Sequence, residues 1–138
     1  MGRILAIDYG QKRVGLAVTD PIKIIANGLD TIHSQDIFSF LDDYFQKEEV
    51  EKVIIGYPVQ LNNKPSQSVV YINEFIKKFI KKYPNLPLQQ VDERFTSKMA
   101  FQAMIDGGLG KKKRADKALI DKVSATIILQ SYLESIQK

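Results

Sequence analysis

The sequence predicts an α/β fold, one mixed five-stranded sheet with helices on both faces, and three observations predict it. Between Arg3 and Asp20, RILAIDYGQKRVGLAVTD, two apolar runs flank a Gly-bearing turn. Because the runs Ile4 to Ile7 and Val14 to Val18 are nearly continuous rather than alternating, they read as strands covered on both faces. Further on, apolar stripes at helical spacing alternate with short apolar runs, the pattern of strand–helix–strand crossovers. Finally, the 138 residues hold no internal repeat, low-complexity stretch or linker. A single domain over 1–138 is expected, large enough to bury roughly two-thirds of its unfolded surface.

The opening hairpin puts a carboxylate, Asp8, at the rim of a core. An acid there is costly to bury unless a cation or several donors neutralise it, so a metal, a base or both belong nearby. An Asp that merely bonds its own turn would look the same in sequence. Gly10 and Gly15 suit positions where the backbone turns sharply or meets another group closely.

After the hairpin, Ile24, Ile25, Leu29 and Ile32 around Asn27-Gly28 read as a less regular strand, placed at an edge. Ser34 is a suitable N-cap for a helix with Ile37, Leu41, Tyr44 and Phe45 on one stripe. Lys52 to Ile55 is a buried strand stopped by Gly56-Tyr57-Pro58, and the polar loop Gln60 to Ser68 at its carboxyl end suits ligand contacts. Val69, Ile72, Ile76 and Phe79 mark a helix whose Lys77, Lys78, Lys81 and Lys82 form a solvated face. A short strand, Leu88 to Val91, delivers Asp92, Glu93 and Arg94, and Thr96 or Ser97 caps a helix from Lys98 to Met104.

Gly107, Gly108 and Gly110 then open into Lys111-Lys112-Lys113-Arg114, a flexible basic loop. Asp116 caps a last helix carrying Ile120, Val123 and Ile127 inward. Asp121 shares a stripe with Ser124 and Ala125, small residues that let a helix lie close to a sheet. Asp121 is then either a metal ligand turned toward the sheet or an ordinary solvated acid.

Lys plus Arg number 20 against 16 Asp plus Glu, a formal charge of +4 with a pI near 9.2. That balance favours polyanions only weakly, so the clustering of bases carries more information. Cysteine is absent, no charged and apolar leader opens the chain, and no apolar run approaches the roughly 18 residues of a membrane span. A soluble cytoplasmic protein without membrane contact is expected.

Asp8, Glu93 and Asp121 arise on a first strand, just past a later strand and on a closing helix. Parallel strands deliver their carboxyl ends to one edge, so the three acids are able to meet there. Oxygen ligands without His or Cys suit Mg²⁺ or Mn²⁺. Two such ions about 4 Å apart would support in-line hydrolysis of a phosphodiester without a side-chain general base. His33, the one histidine, reads as a surface or capping residue. Lys111 to Arg114 would hold a phosphate backbone beside such a site.

The segments AIDYGQKRVGLAVTD, VIIGYP, VDERFTS and DKVSATIILQSYLE, in this order and spacing, resemble the YqgF/RuvX family. The resemblance covers nearly the whole chain. It implies an RNase H-like fold and a nuclease that helps mature the 5′ end of pre-16S ribosomal RNA; an older family label is Holliday junction resolvase. Asp8, Glu93 and Asp121 match the family's acids, which implies a catalytic and metal-binding role for each. Arg13, Arg94, Thr96 and Ser97 match the polar residues beside them, and with Lys12 they are expected to touch nucleic acid. The chain departs at Asn62-Asn63, where an acid and Gly are frequent, and at Ser124, where Ala is usual.

Two other readings compete. ATPases of the actin and sugar-kinase superfamily begin with a similar strand and Asp-x-Gly turn, but they close two lobes around the nucleotide and this length supplies one. A module that binds structured RNA or a ribosomal particle without cutting it would keep the same fold, and branched DNA is the alternative substrate of a cutting enzyme. Substrate, and the choice between monomer and homodimer, are open at this level; symmetric junction resolution would call for a dimer.

Overall fold

The computed structural model describes residues 2–23, 25–57, 67–92 and 117–136. Five strands, β1 (Arg3–Tyr9), β2 (Arg13–Thr19), β3 (Ala26–His33), β4 (Val50–Tyr57) and β5 (Leu88–Asp92), form one sheet in the order β3-β2-β1-β4-β5. β1, β2 and β3 are an antiparallel meander, whereas β4 pairs parallel with β1 and β5 parallel with β4. The mixed sheet follows from connection length. Short turns join the first three strands, and helical crossovers carry the chain back for the parallel ones.

Three helices are described, α1 (Ile37–Lys47), α2 (Gln67–Lys82) and α3 (Lys117–Ile136). Strand alternation divides the core in two. Leu5, Ile7, Val14, Leu16 and Val18 meet Ile37 and Leu41 of α1 and Ile72, Phe75 and Phe79 of α2. On the other face Ile4, Ala6, Ala17 and Ile54 meet Ala125, Ile128, Leu129, Tyr132 and Leu133 of α3. Helices therefore cover both faces, as expected.

The edge strand β3 is irregular, also as expected: Leu16 pairs with Asp30 but Ala17 with Gly28, which leaves Leu29 as a bulge. Lys77, Lys78, Lys81 and Lys82 are exposed, and Lys82 pairs with Asp42 of α1 at 2.8 Å.

Two expectations are corrected. Ser34 does not cap α1; it begins a 3-10 turn, Ser34–Asp36, that precedes the helix, and its hydroxyl donates to the Gln11 carbonyl at 2.6 Å. The inward stripe of α3 is also displaced. Ser124, Ala125, Ile128, Leu129, Tyr132 and Leu133 are buried while Val123 and Ile127 are half-buried. The helix is apolar around most of its circumference, so hydrophobicity did not select a face; the small side chains did, because only they let the backbone approach.

Candidate active site

Asp8 is the penultimate residue of β1, half-buried, and directly opposite Gly15 of β2. Opposed residues of an antiparallel pair share a face and lie roughly 5 Å apart. Asp8 therefore stands with Ala6 and Gly15 on the side covered by α3. A Cβ added at Gly15 would lie 2.0 Å from the carbonyl oxygen of Asp121 and 2.5 Å from its carbonyl carbon. No other residue type fits. The helix backbone rests on the strand at this point, and one glycine separates the main chains of the two acids.

Arg13, first residue of β2, is on the same face by alternation. Its Nε donates to Asp121 Oδ2 at 2.8 Å, with the two side chains 35% and 25% exposed. A pair this wet contributes little to stability, on the order of 1 kcal/mol or less. Its consequence is orientation: the Asp121 carboxylate is held toward Arg13 at the start of β2.

The turn that carries Lys12 is pinned. The Gly10 N–H donates to the Arg13 carbonyl at 2.9 Å and the Ser34 N–H to the Lys12 carbonyl at 3.0 Å. Lys12 is exposed at its tip. His33 ends β3, exposed, and flanks the 3-10 turn without a side-chain capping bond.

Sequence reasoning missed Ser34 as a clamp on this turn; a serine before an apolar stripe reads as a cap, and only tertiary contact reveals the alternative. It also missed Gly28, whose Cβ position lies 2.9 Å from Lys122 Cγ of α3. The signal was available in the string of small residues Ala6, Gly15, Ala17 and Gly28. At the departure from the family pattern, Ser124, the hydroxyl is buried with no hydrogen-bond partner among the described residues.

Glu93, Arg94, Thr96, Ser97 and Lys111, Lys112, Lys113 and Arg114 lie outside the described residues, as do Asn62-Asn63, the Gln60 to Ser66 stretch, the Lys98 to Met104 helix and the Asp116 cap. In sequence Glu93 follows immediately on Asp92, the end of β5, which pairs with Tyr57 of β4.

The donor set near Gly15 fits a hard divalent cation. It consists of two carboxylates, without His or Cys, half withdrawn from water at a sheet edge. Asp121 uses Oδ2 for Arg13 and makes no other side-chain hydrogen bond among the described residues. Those residues contain no group of three or more metal-ligating side chains.

A family profile described as "RuvX: Holliday junction resolvase" matches residues 2–135. The chain belongs to this family. Among RuvX relatives, a "Putative pre-16S rRNA nuclease" of Christiangramia forsetii is 60% identical over 133 residues, covering 96% of this chain and 98% of the relative. One of the same name from Flavobacterium psychrophilum is 61% identical, covering 96% and 97%. A solved structure, "T. thermophilus RuvC in complex with Holliday junction substrate", matches with a TM-score of 0.59 at 15% identity, covering 99% of this chain and 96% of that one. The fold is RNase H-like. No described helix is long and apolar enough to cross a membrane.

Proposed function

We propose that this RuvX chain is a divalent-cation-dependent nuclease, one RNase H-like domain over 1–138, that hydrolyses phosphodiesters in 5′-end maturation of pre-16S ribosomal RNA in the cytoplasm. The observation that supports the reading is the close approach of the Asp121 main chain to Gly15, the residue that pairs with Asp8. The names borne by relatives at 60% identity supply the substrate.

On this reading Asp8, Asp121 and Glu93 hold Mg²⁺ or Mn²⁺, two ions in all. Ions held there would supply Lewis-acid activation of a water and stabilisation of the leaving oxygen, so no side chain would need to serve as general base. Arg13 presets the Asp121 carboxylate, and its exposed edge offers further N–H donors to a phosphate oxygen. Lys12, Arg94, Thr96, Ser97 and the Lys111 to Arg114 run grip the backbone on either side.

The test mixes the protein and Mn²⁺ with a labelled 5′ precursor of 16S RNA. Asp8→Asn, Glu93→Gln and Asp121→Asn each abolish cutting while binding stays within about threefold, because the ligands and not the grip are removed. Cutting by the triple variant overturns the assignment. Ala at Lys111 through Arg114 instead weakens binding, and lowers its salt slope by about one unit for each phosphate no longer neutralised.

A second reading, resolution of four-way DNA junctions, is favoured by the family description and by the RuvC likeness. It requires a homodimer with paired sites, since two symmetric strands must be cut. A four-way junction in the same assay, with the mass of the protein–junction complex, separates the two.

A further inference from the structure

Behind the acids, on the face covered by α1 and α2, a cavity of about 410 Å³ opens where β1 ends against the 3-10 turn and α2. Tyr9, Gln11, Gln35, Tyr71, Glu74 and Lys78 are among the residues lining it. Gln11, Ser34 and Gln35 also wall a second hollow of about 370 Å³ that continues to Lys12, Arg13 and His33. The two make one trough over the β1–β2 turn. It ends at Arg13, whose Nε is 2.8 Å from Asp121.

The ends of the trough differ in chemistry. At the α2 end the walls are aromatic and amide. Tyr9 stacks on Phe75 with centroids 4.5 Å apart, whereas no ring packs on Tyr71 among the described residues. Gln11 Nε2 donates to Tyr71 Oη at 3.1 Å and fixes the ring at the wall. Lys78 and Glu74 oppose each other in charge there. Burial, and then Glu74, push the Tyr9 hydroxyl up from its ordinary value and keep it a neutral phenol. At the other end Lys12 and Arg13 are cationic, and among the described residues no acid lines the wall.

An aromatic face with amide donors and acceptors is what an unpaired base uses, and a cationic neighbour is what its phosphate uses. The volumes fall in the range of ordinary ligand sites. We propose that the trough seats one unpaired nucleotide of the substrate strand next to the bond that is cut, its base on Tyr71 between the Gln11 and Gln35 amides and its phosphate on Lys12 and Arg13. A base inside a duplex has neither its face nor its pairing edge free, so the seat selects a single-stranded or frayed segment. The inference rests on the nuclease reading for the position of the cut, but not for binding.

Fluorescence anisotropy in EDTA measures that binding without cutting. The probes are a labelled single-stranded RNA of about five nucleotides and a blunt RNA duplex of about ten base pairs. Tyr71→Ala weakens the single strand about tenfold and leaves the duplex within about twofold, while Tyr71→Phe, which keeps the ring and loses only the Gln11 bond, stays within about threefold of the parent on the single strand. Lys77→Ala, an exposed charge outside the trough, treats both probes alike.

If Tyr71→Ala does not fold, the exposed Gln35→Ala carries the same comparison, with about a threefold loss expected on the single strand alone. Equal losses on both probes, or none on either, overturn the seat. So does AMP that competes as well as the oligonucleotide, because that marks a mononucleotide site. A seat that fails while cutting persists leaves the nuclease reading intact, and a parent that never cuts but shows the Tyr71 difference leaves the seat intact.

Discussion

One face of the sheet meets α1 and α2 through bulk: Leu5, Ile7 and Leu16 against Phe75 and Phe79, with the Phe79 and Tyr83 rings tilted against each other at 5.0 Å. The other meets α3 through Ala6, Gly15, Ala17 and Gly28, small enough that the helix main chain lies on β2 at Gly15 and the Lys122 side chain lies on β3 at Gly28. Bulk separates elements and leaves hydrophobic burial to hold them. Small residues bring backbones together and fix where an acid on the helix stands relative to an acid on a strand. The position of Asp121 relative to Asp8 is therefore set on the thin face, by the close approach at Gly15.

That division predicts different failures. On the thick face Phe79→Ala leaves a cavity in a fully buried site and costs about 3–5 kcal/mol in urea unfolding. The surviving folded molecules keep their cutting rate, because nothing near Gly15 moves. A rate per folded molecule that falls with stability would show the faces to be coupled.

On the thin face Gly15→Ala does the opposite. Alanine suits a strand better than glycine by roughly 0.5–1 kcal/mol. Its Cβ, however, would lie 2.0 Å from the Asp121 oxygen, and main chain cannot yield as a flexible side chain does. Overpacking of this kind costs about 1–3 kcal/mol, here at the upper end. The helix is pushed off the acids, so cutting is abolished even in the fraction that folds. A variant that unfolds earlier but cuts normally once folded would remove the proposed meaning of the close approach.

The thick face and the order of elements were legible in the sequence. Continuous apolar runs and stripes at helical spacing are local signals, and the hairpin, the edge strand with its irregularity and the crossovers follow from them. At the site, the close approach at Gly15 and the small stripe of Ser124 and Ala125 beside Asp121 were legible, but the full inward face of the helix was not. It depends on which side of an almost uniformly apolar helix lies down, and Ile120, Val123 and Ile127 pointed one residue away from the true stripe. Ser34 was misread for a related reason: capping and clamping use the same hydroxyl, and the partner that decides between them, the Gln11 carbonyl, is 23 positions distant in sequence.

Ser124→Ala sharpens the account of the thin face. Its hydroxyl is buried and has no partner among the described residues, and an unmet polar group of this kind costs about 1–3 kcal/mol. Alanine removes that cost, is the better helix former and is smaller by only one heavy atom. The variant should gain about 1 kcal/mol in urea unfolding with cutting unchanged. A destabilised variant would mean that the hydroxyl has a partner and that α3 is held there by more than close packing.

The smallest effect expected is at the rim of the thick face, where Asp42 of α1 accepts from Lys82 at 2.8 Å and from Tyr83 Oη at 2.5 Å. Lys82 first and Tyr83 second hold the Asp42 carboxyl below its ordinary value. A carboxyl depressed by folding adds stability above its unfolded pKa of about 3.9, and that stability is lost as pH falls through the folded value. Asp42→Asn should thus melt slightly below the parent at neutral pH, with the gap closing in acid. Tyr83 has the reverse sign. Burial, and then Asp42, raise its hydroxyl, so its contribution is present below about pH 10 and fades as pH rises through the folded value. A gap for Asp42→Asn that stays constant into acid would place its origin in packing between α1 and α2 rather than in charge.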